Sequence, residues 1–322
     1  MRVLVTGGTG YLGRAVVHAL ASAGHEPVVF ARTAAASGLP GALVNGDVRN
    51  RAELYQAADG CAAICHMAAI VSLWRRRPQD FDEVNVGGLE HVLAVAAARG
   101  IHRLLYTSSF LALPPSDGGA PLRANDYQRT KVEAEHVAAE AAREGAPIVR
   151  LYPGVLYGPG RLTEGNLVGR LVADHLAGRL PGLIGADHLW SYAAVEDVAQ
   201  GHVTALEHGR IGAQYRLGGE NVAQMHVFER VRELTGRPLP RRIPYTMAGA
   251  IGLVEELRAR TFGATPLLTR GTVEIFRHDW ALDSTAAATE LGYRITPLAD
   301  GIRRTVEALT ASGGSPDGEA RR

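Results

Sequence analysis

Thr6-Gly7-Gly8-Thr9-Gly10-Tyr11-Leu12-Gly13 decides the fold of this chain. It follows the short apolar run Arg2 to Thr6 and opens the helical stretch Leu12 to Ala23, so strand, tight turn and helix meet within a few residues. Glycines at 7, 10 and 13 let the chain turn sharply, let its backbone approach a pyrophosphate, and let the helix lie close on the sheet. The helix amino terminus would add N–H groups and the positive end of its dipole. In that setting the pattern predicts a dinucleotide site rather than a structural turn, with Gly7, Thr9, Gly10, Tyr11 and Leu12 as candidate contacts.

Downstream, the same alternation repeats. Strand-like runs are Pro27 to Ala31, Ala42 to Asn45, Ala62 to His66, Arg103 to Thr107 and Pro147 to Leu151. Between them lie the helical segments Ala52 to Ala58, Phe81 to Arg99 and Tyr127 to Glu144. Nearly continuous apolar strands alternating with helices predict an α/β fold, a Rossmann-type doubly wound parallel sheet. After Leu151 the rhythm breaks into short helices and Gly/Pro turns, with one more unit at Val195 to Glu207 and Gln214 to Leu217. The expected organisation is a dinucleotide-binding domain over 1–159, to which 193–220 returns. A smaller C-terminal substrate lobe takes 160–192 and 221–310, and 311–322 reads as a flexible tail because it has no apolar periodicity.

Bulk properties exclude several classes. With a net charge of +1, no global field recruits nucleic acid or an acidic membrane. The run Arg75, Arg76, Arg77 reads as a solvated loop ahead of an anion site. No stretch of 18 apolar residues exists to span a bilayer. The start MRVLVTGG is no secretory signal. Cys61 and Cys65 lie in a strand-like run, where four residues separate them by roughly 13 Å, beyond the ~7 Å limit for a disulfide. They read as packed thiols in a reducing compartment, and the chain as a cytoplasmic enzyme or binding protein without membrane or nucleic-acid partners.

The second strand ends Val29-Phe30-Ala31-Arg32, with no acidic residue to grip the ribose hydroxyls of NAD. Arg32 could instead pair with a 2′-phosphate, so NADP is favoured and NAD stays open. After the third strand, Asp47 of Gly46-Asp47-Val48 is placed to accept a hydrogen bond from the adenine amino group, with Val48 beside it.

The chain carries 33 arginines and one lysine, Lys131. Tyr127 and Lys131 stand at i and i+4 on a predicted helix and share a face. A free phenol, with a pKa of about 10, is a poor proton-transfer group at neutral pH, and a neighbouring ammonium favours the phenolate. Lysine brings a compact charge on a flexible stem that can also reach ribose hydroxyls. Thr107-Ser108-Ser109 ends the fifth strand, at the sheet edge where sites of open α/β folds form. There Ser109 can orient a carbonyl that Tyr127 protonates, although either serine could simply cap the loop.

TGGTGYLG, GDV at 46–48, CHMAA at 65–69, NVGG at 85–88, YTSS at 106–109, YQRTK at 127–131, LYPGVLYGPG at 151–160 and the segment 190–207 together resemble one family. It is the extended short-chain dehydrogenases/reductases, in particular their dihydroflavonol-reductase-like branch, and the resemblance runs to about Asn221. It implies that Ser109 orients the carbonyl, that Tyr127 is the acid/base, and that Lys131 tunes it and binds ribose. Met67, Ala68, Ala69 and Thr107 would line the cofactor, Tyr152, Pro153, Gly154 and Val155 would flank the nicotinamide, and Asn85 would support the facing helix. In this family the helices corresponding to 81–99 and 127–144 often pack against their copies, which implies a homodimer. The interval from Ser109 to Tyr127 is shorter than in relatives and predicts an open entrance.

Sugar-nucleotide dehydratases of the superfamily would follow the serine with an acidic pair, and Phe110 and Leu111 stand there. Trp190 replaces the arginine expected to hold a sugar diphosphate. Trp74, Phe110, Tyr157, Trp190 and Tyr192 suggest an apolar substrate wall, with core packing as the equal alternative. His66 reads as a structural ring, and no metal-binding spacing occurs. The expectation is an NADP-dependent oxidoreductase acting on a ketone, an aldehyde or the matching alcohol of a small, mostly apolar metabolite. A sugar-nucleotide epimerase or dehydratase and a non-catalytic NADP-binding sensor are the alternatives.

Overall fold

The computed structural model describes residues 1–72 and 74–311. Its strands are β1 (Arg2–Thr6), β2 (Glu26–Ala31), β3 (Ala42–Asn45), β4 (Ala63–His66), β5 (Leu104–Thr107), β6 (Ile148–Pro153), β7 (Val155–Tyr157), β8 (Leu189–Ala194), β9 (Gln214–Leu217) and β10 (Glu220–Ala223). Seven of these pair in the order β3-β2-β1-β4-β5-β6-β9, and every pairing is parallel. The chain winds outward from β1 in one direction and from β4 in the other. The reversal leaves a crevice beyond Thr6 and His66, which are direct partners in the register.

Both sheet faces are covered, which is why the strands read as unbroken apolar runs. Val3, Val5, Val29 and Leu105 face α1 (Tyr11–Ser22) and a later helix pair, while Leu4, Val28, Phe30, Leu104 and Tyr106 face α2 (Arg51–Ala57) and the two helices after it. The expected helix over 81–99 is instead three pieces. A single turn α3 (Gln79–Phe81) leads into a π-helical stretch at Asp82–Val86 and then α4 (Gly87–Arg99). Within the wide turn the Asn85 carboxamide accepts from Ile70 N–H at 2.7 Å and donates to Thr130 Oγ1 at 3.0 Å. Such widened turns recur at functional positions. Helix α5 (Asp126–Arg143) begins where expected because Asn125 caps it, its side chain accepting from Gln128 N–H at 2.8 Å.

A second sheet, β10-β8-β7, forms the floor of the smaller lobe. It is packed by α6 (Leu167–Leu176), α8 (Gln224–Thr235) and α12 (Leu298–Ala311), with α9 (Tyr245–Phe262) and α10 (Arg270–Ile275) alongside. Two segments cross the expected domain boundaries. β7 pairs with β8 of this small sheet, whereas α11 (Thr285–Leu291) and Tyr293 pack back onto α7 (Val195–His208) and β9 under the large sheet. Residues 312–322 of the expected tail lie outside the described residues. Cys61 falls in the turn before β4 rather than in the strand, and both cysteines are free thiols. Among the described residues no helix is long and apolar enough to cross a membrane.

Candidate active site

The turn after β1 has a shape that side chains would obstruct. Gly7 takes φ +72°, and a Cβ there would stand 2.6 Å from the backbone nitrogen of Ala68. A Cβ at Gly13 would stand 2.2 Å from the Gly7 oxygen. No side chain caps the start of α1 and no acidic residue occupies its first turn, so that terminus is suited to an anion. Thr9 and Leu12 are half-buried and Gly10 is exposed. The Tyr11 ring is buried, its hydroxyl donating to the Gly158 carbonyl at 3.0 Å. Met67, Ala68 and Ala69 leave β4 beside this turn, with Met67 N–H bonded to the Thr6 carbonyl at 3.1 Å. The glycine cradle and the uncapped helix end fit a dinucleotide.

Arg32 is exposed beyond β2, with no carboxylate within ion-pair distance among the described residues. Asp47, the expected partner of an adenine amino group, is half-buried in the turn after β3. Arg49 holds it, Nε donating to Oδ1 at 3.0 Å and Nη2 to Oδ2 at 2.7 Å, and these bonds keep its pKa below the usual carboxylate range. Val48 is buried, and its carbonyl accepts from the His91 ring at 3.0 Å.

At the other side of the crevice, Thr107, Ser108 and Ser109 leave β5 fully covered. Ser109 fills the capping role the sequence allowed. Its Oγ caps the short turn Phe110–Ala112 by accepting from Leu111 N–H at 3.2 Å, and its hydroxyl is near enough to the Tyr127 phenol to lower that group's pKa. Tyr127 and Lys131 lie on the face of α5 turned to β5. Lys131 is 5% exposed, and its Nζ donates to the Thr107 carbonyl at 3.2 Å. Burial pushes its pKa down to about 8, with the Glu135 carboxylate pulling it back up.

Tyr127 and Lys131 stand four residues apart on one face of α5, as expected. Burial raises the Tyr127 pKa, and the neighbouring Ser109 hydroxyl opposes that rise.

Tyr152, Pro153, Gly154 and Val155 run from the end of β6 into β7. The Tyr152 side chain turns below the sheet edge, donating to Glu135 Oε1 at 2.5 Å. A Cβ on Gly154 would meet the Ser191 carbonyl at 2.5 Å, which explains the glycine. The aromatic wall needs correction. Tyr157, Trp190 and Tyr192 are 0–3% exposed and belong to the lobe core, because β7, β8 and the helices above them close over these rings. Trp190 stacks on Phe276 at 4.8 Å. Phe110 is half-buried at the rim of that cluster, edge-on to Trp280 at 5.7 Å, and Trp74 is half-buried after Ser72.

Sequence reasoning missed Gln128, Ser108 and Glu135. Gln128 is wholly buried and holds the short Ser109–Tyr127 connection, accepting from Ala124 N–H at 3.1 Å and donating to the Leu111 carbonyl at 3.3 Å. Glu135 stands four residues beyond Lys131, a spacing that could have found it. Among the described residues no group of three or more His, Cys, Asp or Glu is placed to hold a metal.

With this geometry in place, comparison with known proteins is decisive at the family level. Residues 3–218 match the NAD dependent epimerase/dehydratase family. The chain belongs to that family. Within it, the chain is an extended short-chain dehydrogenase/reductase. It is 31% identical over 309 residues to sterol demethylase protein B of Methylococcus capsulatus, covering 91% of this chain and 93% of that one. It is 29% identical to short-chain dehydrogenase/reductase family 42E member 1 of mouse, covering 97% and 88%. The crystal structure of gox2253 superposes with a TM-score of 0.81 at 29% identity, over 97% of this chain and 98% of that one. An enzyme acting on CH–OH or carbonyl groups fits these relatives.

Proposed function

We propose that this chain is an NADP(H)-dependent oxidoreductase that interconverts a ketone or aldehyde and its alcohol on a small, mostly apolar metabolite. The observation that carries the reading is the gathering of Ser109, Tyr127 and Lys131 at the carboxyl end of β5, across the crevice from the glycine cradle. A bound nicotinamide would supply or accept the hydride. Gly7, Thr9, Gly10, Tyr11 and Leu12 would hold its pyrophosphate, Arg32 the 2′-phosphate, and Met67, Ala68, Ala69, Thr107 and the Tyr152–Val155 segment the remainder. Ser109 would donate a hydrogen bond to the substrate oxygen while Tyr127, kept protonated by its raised pKa, gives that oxygen a proton.

The surroundings support an apolar substrate. Phe110 and Leu111 follow the serine. Helix α10 lies on the segment leading into Tyr127, close enough that a Cβ on Gly271 would meet the Ala124 carbonyl at 2.0 Å. Beside it, Phe262 and Leu267 are 81% and 84% exposed, and the outward face of α9 carries Met247, Ile251, Val254 and Leu257. Apolar surface on this scale next to a site favours an apolar ligand over a nucleotide sugar.

A panel of ketones, aldehydes and nucleotide sugars, followed by loss of NADPH absorbance, tests the reading. Oxidation of NADPH by an apolar carbonyl is the expected result, and epimerisation of a nucleotide sugar without net cofactor oxidation would overturn it. A sensor would bind NADPH and turn over nothing. The proposal includes a homodimer through α4 and α5, and light scattering at micromolar concentration should give twice the chain mass.

A further inference from the structure

We propose that Glu135 is a positioning residue for the proton-transfer pair, one buried carboxylate that both fixes the place of Lys131 and sustains its charge. The inference rests on the reading of Tyr127 and Lys131 given above.

Tyr127, Lys131 and Glu135 follow one another at intervals of four on α5 and so share one face. Glu135 is 9% exposed. Its Oε1 accepts from Arg150 Nη1 at 2.8 Å and from the Tyr152 hydroxyl at 2.5 Å, and its Oε2 accepts from Ser108 Oγ at 2.9 Å. These donors come from the two strands that build the site. Ser108 lies between Thr107, whose carbonyl receives the Lys131 ammonium, and Ser109, which meets Tyr127. Tyr152 immediately precedes the Pro153-Gly154 corner that would flank the nicotinamide. One carboxylate therefore ties helix α5 to the two segments whose relative placement the chemistry needs, the end of β5 and β6.

The electrostatics point the same way. The titratable side chains around Lys131 are Tyr127 and Glu135 on its own helix, His66 on β4, Tyr106 on β5, and Arg150 and Tyr152 on β6. Burial pushes His66 down to about 3, and burial raises the Tyr106, Tyr127 and Tyr152 phenols, so these four are neutral near pH 7. Glu135 and Arg150 form the ion pair of the cluster, at 2.8 Å. A lone buried ammonium is costly, and a nearby carboxylate offsets that cost. A buried ion pair is weak evidence of stabilisation, since aliphatic replacements of similar volume are often as stable. Its value here lies in what it places.

The lysine is the sole one in the chain, so lysine-selective carbon-13 labelling of the full protein gives one side-chain signal whose shift titrates with Lys131 alone. Glu135→Gln, nearly isosteric, should lower that midpoint by about one pH unit or more, a tenfold change in protonation at fixed pH. Ser108→Ala removes a hydrogen bond without removing charge and should shift it far less. Glu135→Gln combined with Arg150→Met takes out both charges; it covers the case in which the single variant does not fold, and should also lower the midpoint. In turnover, kcat of Glu135→Gln should fall with little change in the KM for NADPH, its pH profile moving with the lysine midpoint. An unchanged midpoint in the Gln variants would overturn the proposal. If the wild type reduces no carbonyl, the function reading fails while the lysine titration still decides this one.

Discussion

Gly13→Ala tests the dinucleotide cradle directly, because the cost can be read from the backbone. The new methyl would sit 2.2 Å from the Gly7 oxygen and 2.8 Å from the Gly8 Cα, more than 1 Å short of ordinary contact with the first of these. Both obstacles are backbone atoms, so the turn itself has to move. Forcing an extra methyl into such a place costs roughly 1–3 kcal/mol, a drop of about 2 °C in Tm for each kcal/mol in a chain of this size. A displacement of that order also misaligns N–H groups that would bond a charged pyrophosphate, each worth about 1.5–3 kcal/mol. The Kd for NADPH should therefore rise roughly 10- to 150-fold. Gly24→Ala is the control: Gly24 has φ +80° with nothing within 4 Å of an added Cβ, so it loses about 1–2 kcal/mol to backbone strain and touches no ligand. Fluorescence titration with NADPH and thermal unfolding of both variants give the comparison. If Gly13→Ala loses stability yet binds NADPH as the wild type does, the turn is structural and the cofactor assignment fails.

Tyr127→Phe keeps the ring in place and removes the proton donor, so kcat should fall about 10²- to 10⁴-fold with NADPH affinity unchanged; undiminished turnover would remove the assigned acid. Arg32→Ala should weaken NADPH by about tenfold or more while leaving NADH nearly unaffected, as measured by their Kd values; equal losses would refute the phosphate contact. Acid should destabilise the fold in a window set by two buried histidines. Burial holds His66 down to about 3 and His202 down to about 4, while both titrate near 6.5 when unfolded. Below about pH 6.5 the unfolded chain binds protons that the fold refuses, so stability falls with pH by on the order of 3 kcal/mol per ring at about pH 4. Urea unfolding from pH 7 downward measures it, and His202→Asn should remove its share of the slope.

The large sheet was legible because burial on both faces forces continuous apolar strands, and Val3, Leu4 and Val5 are all fully buried. The glycine turn was legible for a similar reason: a position where a Cβ meets backbone leaves little choice of residue. Features that depend on contacts distant in sequence were not. The π-helical turn at Asn85 reflects bonds to Ile70 and to Thr130, the latter 45 positions away. The aromatic residues of β7 and β8 illustrate another gap. Hydrophobicity announces burial without saying in which direction, so rings at 157, 190 and 192 read equally as a substrate wall and as the lobe core they form.

The direction taken by the Lys131 side chain was the part of the site least legible in the sequence. Spacing on a helix places two side chains on one face, yet it leaves open where a long flexible stem points, and here it points to the Thr107 carbonyl. Burial raises the pKa of the Tyr127 phenol and so keeps it protonated, the form that donation to a carbonyl oxygen requires. Running the reaction toward alcohol oxidation asks the same phenol to give up its proton first, which burial opposes. That direction is therefore favoured by alkaline pH and by positive charge near Tyr127. The Lys131 ammonium supplies such charge from the same helix face, and the buried carboxylate of Glu135 is the group proposed to keep that amine protonated.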